Sequence, residues 1–114
     1  MESQRQLKVA RMLQRELADI FQREVKDKFG GAMITVTKVN VTRDISIARV
    51  YLSLFATNDK AALLENIKLH AGDIRYRLGK RIRNQVRQIP EIEFFEDDSL
   101  DYIENIDHLL DEQP

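Results

Sequence analysis

The hydrophobic period of this chain changes three times between Gln4 and Phe94, and few folds accommodate that alternation. Over positions 4 to 28, Val9, Ala10, Leu13, Leu17, Ile20 and Phe21 recur at helical spacing and Val25 continues the row, which predicts an amphipathic helix. Ser3 is placed to cap its start and Gly30–Gly31 to stop it. From Met33 to Thr42 the period drops to that of a strand, with Ile34 and Val36 on one face. Val39 and Val41 are out of phase with them by one residue, so a bulge or bend belongs near Thr37–Lys38. Arg43-Asp44-Ile45-Ser46 reads as a hairpin connection to a second strand, Ile47 to Phe55, and so short a link requires antiparallel pairing.

Helical spacing then returns. Asn58 or Asp59 is placed to cap a helix from about Lys60, with Ala61, Leu63, Leu64, Ile67 and Leu69 as its apolar residues. Gly72 interrupts the pattern, and Ile74, Leu78, Ile82, Val86 and Ile89 resume it until Pro90 ends it. Two helical segments separated by a kink are therefore predicted. Ile92 and Phe94, alternating with Glu91 and Glu93, form a short third strand. Ser99 can cap a last turn or two carrying Leu100, Ile103, Ile106 and Leu110. The order α-β-β-α-kink-α-β implies an α+β fold, a three-stranded sheet covered on one face by helices. The expected organisation is one domain over 1–98 and an acidic C-terminal tail over 99–114.

A chain of 114 residues makes about one domain, which buries roughly 65% of the surface its unfolded form exposes. It has no Cys, which excludes disulfides, thiolate zinc sites and a catalytic thiol. No apolar run approaches the ~18 residues of a membrane span, and the N-terminus carries no signal-peptide pattern. A cytoplasmic monomer with no membrane partner is expected.

Charge is divided along the chain. Positions 1–90 hold all eighteen Lys and Arg residues against nine acids, a net of +9, whereas positions 91–114 hold ten acids and no base. Such a basic body is the footprint of a polyphosphate binder. Arg5, Lys8, Arg11 and Arg15 fall on the side of the first helix opposite Leu13 and Leu17. Arg77, Lys80, Arg83 and Arg87 repeat those offsets after the kink, with Arg75 and Arg81 flanking the apolar row. The two rows are expected near opposite ends of the body, with few local acids to pair them. Aligned like charges repel, so a helix needing only solubility would mix signs. The abundance of Arg suits bidentate phosphate contacts. The strands show no aromatic pattern for stacking single-stranded bases.

Other residues that suggest chemistry read more simply. His70 and His108, the only histidines, are far apart in sequence. Asp97, Asp98 and Asp101 lack the regular spacing of a calcium loop and fit a capping cluster ahead of Ser99. No nucleophile elbow, phosphate loop or zinc-protease motif is present. No catalytic residue, metal site, cofactor or small-molecule substrate is expected, and the chain is not expected to be an enzyme.

Several stretches resemble the ribosome-binding factor A family. They are Gln22-Arg23-Glu24-Val25-Lys26-Asp27, Ile34-Thr35-Val36-Thr37-Lys38-Val39 and Ala48-Arg49-Val50-Tyr51-Leu52-Ser53. Ile74-Arg75 with Leu78-Gly79-Lys80, then Pro90-Glu91-Ile92-Glu93-Phe94 and Asp98-Ser99-Leu100, complete the match over nearly the whole chain. The resemblance implies a KH-like fold of type II. It also implies binding to the free small ribosomal subunit and help in late maturation of its 16S RNA, near the 5′ end and the decoding region. In that family the role is most important in the cold. The family has a kink with small residues instead of a GXXG loop, and His70-Ala71-Gly72 occupies that place here. The family more often has Ala at the position of His70 and an apolar residue at that of Asp73.

On this reading Arg5, Lys8, Arg11 and Arg15, with Arg75, Arg77, Lys80, Arg81, Arg83 and Arg87, neutralise phosphates of ribosomal RNA. Two alternatives stay open: a general RNA- or DNA-binding module without a ribosomal role, and a protein-interaction module acting through the acidic tail.

Overall fold

Ser3 starts the first helix through a reciprocal capping box: its Oγ accepts from the Gln6 amide at 3.1 Å, and Gln6 Oε1 accepts from the Ser3 amide at 2.9 Å. The computed structural model describes residues 3–97. Helix α1 spans Gln4–Asp19, β1 Met33–Val41, β2 Ile47–Phe55, α2 Lys60–Leu69, α3 Ala71–Ile82 and β3 Glu91–Glu96. The three strands form one sheet in the order β1-β2-β3, and the fold is α+β as expected. The acidic tail, with Ser99 and His108, lies outside the described residues.

The predicted first helix is not uniform to residue 28. After α1 the chain makes a wider π-type turn, Ile20–Glu24, and then a tight 3-10 turn, Lys26–Phe29. Ile20, Phe21, Val25 and Phe29 are all buried through these changes of pitch. The turns keep these apolar side chains in the core, with Phe29 packed on Phe21 and His70. Gly30 and Gly31 then stop the helix in left-handed backbone, φ 63° and 81°.

The bulge lies where the change of phase requires it, between Val36 and Lys38 of β1. A bulge leaves ladder groups without partners. Here Gln14 of α1 donates to the Val36 and Thr37 carbonyls at 3.2 and 3.3 Å. Gln6, itself buried, donates to the Val41 carbonyl at 3.0 Å, so α1 is bonded to both halves of the bent strand. In the hairpin, Asp44 accepts from the Ser46 amide and hydroxyl and from Thr42, bonds that hold its carboxyl below the usual carboxylate range. Ile45 sits in left-handed backbone, φ 59°, with its side chain buried. Apolar burial outweighs the backbone strain there.

Strands β1 and β2 pair antiparallel, and β3 adds to the other edge of β2 in parallel. A parallel neighbour needs a crossover, which α2 and α3 supply. Asp59 caps α2 by accepting from the Ala62 amide at 3.0 Å. The break between the helices falls at His70 (φ −96°, ψ 8°), and Gly72 lies inside the first turn of α3 rather than at the pivot. The His70 ring is held by Asn66 O, 2.8 Å from Nδ1, and by an edge-on contact with Phe29.

Helix α3 ends at Ile82, not at Pro90. A turn follows, with Gln85 N donating to Ile82 O at 2.8 Å, and the chain doubles back so that Val86 and Ile89 pack on the core from a loop. Ile89 packs back over Gly79, where a Cβ would meet Ile89 Cγ1 at 3.4 Å, ordinary van der Waals contact. One core joins Leu13, Leu17 and Ile20 to Leu52 and Leu54 of β2 and to Ile67, Ile74, Leu78 and Ile82 of the crossover, all fully buried.

Candidate nucleic-acid interface

Because Ala10, Leu13 and Leu17 turn inward, α1 leaves Arg5, Lys8, Arg11 and Arg15 on its outer side, all four exposed. None of the four is paired with a carboxylate among the described residues. Shallow grooves follow the row, one of about 410 Å³ bounded by Arg5, Lys8, Val9, Met12, Arg15 and Gln85. Gln85 belongs to the turn after α3, so that turn abuts α1. The two basic segments are neighbours and not at opposite ends of the body.

The second basic row divides into two groups. Lys80 and Arg83 are exposed and have no carboxylate partner among the described residues. Arg87 is exposed as well, but it stands in the loop beyond α3, so it does not continue a helical stripe. Arg77 and Arg81 are half-buried and paired, against the expectation of few local acids. Arg77 donates to Asp73 at 3.1 Å and to Glu24 at 3.2 Å. Arg81 reaches Glu24 at 3.0 Å, Glu16 at 3.1 Å and Asp19 at 2.8 Å, locking α3 onto α1 and its π-type turn. Arg75 is also occupied: its guanidinium donates to Ile89 O at 2.7 Å and Pro90 O at 3.1 Å, pinning the returning loop. Only the Asp73–Arg77 pair was legible in sequence, as an i,i+4 spacing. Glu16, Asp19 and Glu24 lie more than fifty residues from their partners.

Hydrogen bonds from Arg81, then from Arg77, hold the Glu24 carboxyl below its ordinary range against the opposing effect of burial. Asp73 is lowered by Lys28 first and Arg77 second. Burial works against the Arg81 charge, but Glu24, Asp19 and Glu16 outweigh it and raise its pKa. A carboxyl with a lowered folded pKa contributes stability above its unfolded value and loses it as pH falls through the folded one. The urea midpoint should therefore hold from pH 7 to about 5 and drop below about pH 4. Glu24→Gln should cost about 1 kcal/mol at pH 7, discounted for partial exposure, and that difference should shrink as the pH falls below the ordinary carboxylate range.

The open sheet face carries a feature that sequence reading missed. Tyr51 of β2 and Phe95 of β3 stack with centroids 5.4 Å apart, and Lys38 Nζ lies 5.8 Å from the Tyr51 ring centroid. The two rings meet only through the parallel pairing of β2 with β3. Among the described residues no group of three or more His, Cys, Asp or Glu is arranged to hold a metal ion. No helix among them is long and apolar enough to cross a membrane.

Comparison with known proteins fits this architecture. The crystal structure of ribosome-binding factor A from Thermus thermophilus superposes with a TM-score of 0.66 at 22% identity, covering 80% of this chain and 94% of that one. A homology model of the Thermus thermophilus factor, fitted into a cryo-EM map of its 30S complex, gives a TM-score of 0.62 at 24% identity, with 78% and 91% covered. These likenesses carry the fold. Ribosome-binding factor A of Cytophaga hutchinsonii is 48% identical over 110 residues, covering 96% of this chain and 83% of that one. The model of the family Ribosome-binding factor A matches residues 5–110. A match of that extent, over the same elements that build the basic face, shows that the chain belongs to the ribosome-binding factor A family.

Proposed function

We propose that this protein binds the free small ribosomal subunit and assists late maturation of its 16S RNA near the 5′ end, acting in the cytoplasm as a monomer and making or breaking no covalent bond. The observation that carries the reading is the exposed row Arg5, Lys8, Arg11 and Arg15, unpaired among the described residues and adjoined by the turn after α3. Cations left without carboxylates keep their full charge for phosphate, and a rigid helix sets them at fixed intervals. Lys80, Arg83 and Arg87 extend the contact surface. Arg75, Arg77 and Arg81 serve it indirectly, by holding α3 and the returning loop in place. Binding to shape and charge biases the RNA between conformations, favouring the one that matches the face.

If about five phosphates are engaged, log affinity should fall against log salt with a slope near −3.5 to −4.5. A slope near zero would remove the electrostatic mechanism. Cofractionation with free small subunits at low and moderate salt separates this role from general nucleic-acid binding, which would spread the protein over all RNA-containing fractions. The Thermus thermophilus factor, as a model fitted into a 30S complex map, supports the same target.

A further inference from the structure

The solvent face of α3 repeats an unusual set of residues: Gly72, Tyr76, Gly79 and Arg83, spaced by four, three and four, with Lys80 beside them. At about 100° per residue they share one face. Tyr76 is 64% exposed, more than any other aromatic residue among those described, so core packing does not account for it. The surface on either side of the ring is low. A Cβ at Gly72 would meet nothing within 4 Å, and Gly79 is walled only by Ile89. The result is an open groove of about 470 Å³ bounded by Gly72, Tyr76, Gly79, Lys80, Arg83 and Ile89. Arg75 stiffens its far wall through the Ile89 and Pro90 carbonyls.

The groove's chemistry is selective. Its lining contains cations and one aromatic ring but no carboxylate. The groove at the β3 edge includes Glu93, which disfavours a polyanion, and the grooves along α1 hold cations without a ring. Lys80 Nζ lies 4.9 Å from the Tyr76 ring centroid, so one ring face already borders a positive charge. A flat, electron-rich ring flanked by cations in a carboxylate-free trough matches an unpaired nucleobase with its adjoining phosphates. A base inside a duplex could not present its face to the ring.

We propose that Tyr76 is a stacking platform for one unpaired nucleobase of the bound RNA, with Lys80 and Arg83 receiving the flanking phosphates. The inference rests on the RNA-binding reading above and sharpens it, since it adds a single-stranded nucleotide to a contact otherwise made by backbone charge. The competing account is that Tyr76 and Lys80 form only a stabilising i,i+4 pair on the helix.

The test uses the full chain and two fluorescent single-stranded probes, a hexaadenylate and the same backbone with abasic residues, titrated at several salt concentrations. Tyr76→Ala should weaken hexaadenylate binding about 5- to 150-fold, the loss of one base–aromatic stack. Tyr76→Phe should retain wild-type affinity. The abasic probe should bind more weakly and be indifferent to Tyr76→Ala, and the salt slope should be the same for all variants. Unchanged hexaadenylate affinity in Tyr76→Ala, with the salt slope intact, would overturn the stacking platform and leave the electrostatic reading standing. Equal losses on both probes would likewise overturn it, showing that the ring supports the backbone contact or a protein surface. A wild-type slope near zero, or no hexaadenylate binding at all, would overturn both readings.

Discussion

Replacing Arg5, Lys8, Arg11 and Arg15 together with glutamine is expected to weaken binding to small-subunit RNA about 200-fold at 0.15 M salt and to flatten the salt slope by about 3 units. The magnitude follows from counterion release, about 0.7 of a released ion per phosphate lost, over four phosphates. Filter binding or anisotropy against purified small subunits measures both quantities. The fold should survive, because all four side chains are exposed and none has a carboxylate partner among the described residues. Replacing Arg77 and Arg81 with glutamine provides the contrast. Those side chains hold Glu24, Glu16, Asp19 and Asp73, so their loss should lower the urea midpoint first. Any affinity change should follow the fraction folded. Equal affinity losses in the two variants without a stability difference would mean that the division between the two sets is wrong.

The largest stability effect should come from Leu17→Ala. Leu17 is wholly buried on α1 above the sheet, in the cluster that joins the helix to β2 and the crossover. Deleting its outer carbons removes transfer energy and leaves a cavity that rigid strands cannot close, about 3–4 kcal/mol. A domain of this size has only about 5–14 kcal/mol in total, so the thermal midpoint should fall by roughly 15 °C or more. Scanning calorimetry or urea titration gives the value. A shift of only a few degrees would mean that α1 packs more loosely than its burial indicates.

How much of this was legible in sequence depends on the range of each interaction. The Ser3 cap, the stop at Gly30–Gly31, the bulge beside Thr37, the hairpin at Asp44 and the Asp59 cap are settled within a few residues, and all are present. The end of α3 was misjudged because Val86 and Ile89 keep helical spacing while reaching the core from a doubled-back loop. The kink over His70-Ala71-Gly72 is present, and within it the break falls at His70, held by Asn66 and Phe29, rather than at Gly72, where the apolar period lapses. The α1 row was readable because its apolar side fixes its polar side. The inward turn of Arg77 and Arg81 was not, since their carboxylates arrive from α1 and the turns that follow it. Gln14 is the same case: nothing in its own neighbourhood marks it as the partner of the bulge.

The parallel seating of β3 on β2 has a consequence for synthesis. As the nascent chain emerges, the hairpin of β1 and β2 can close at once, but the other edge of β2 waits for about forty more residues to be translated. At ~5–20 residues per second that interval is roughly 2–8 s. During it, Ile47–Leu52, charged only at Arg49, presents an edge of unpaired amides and carbonyls, a template for aggregation with other chains. Only when Glu91–Glu96 arrives and pairs with Ile47–Leu52, bringing Glu91, Glu93 and Glu96, is that edge sealed.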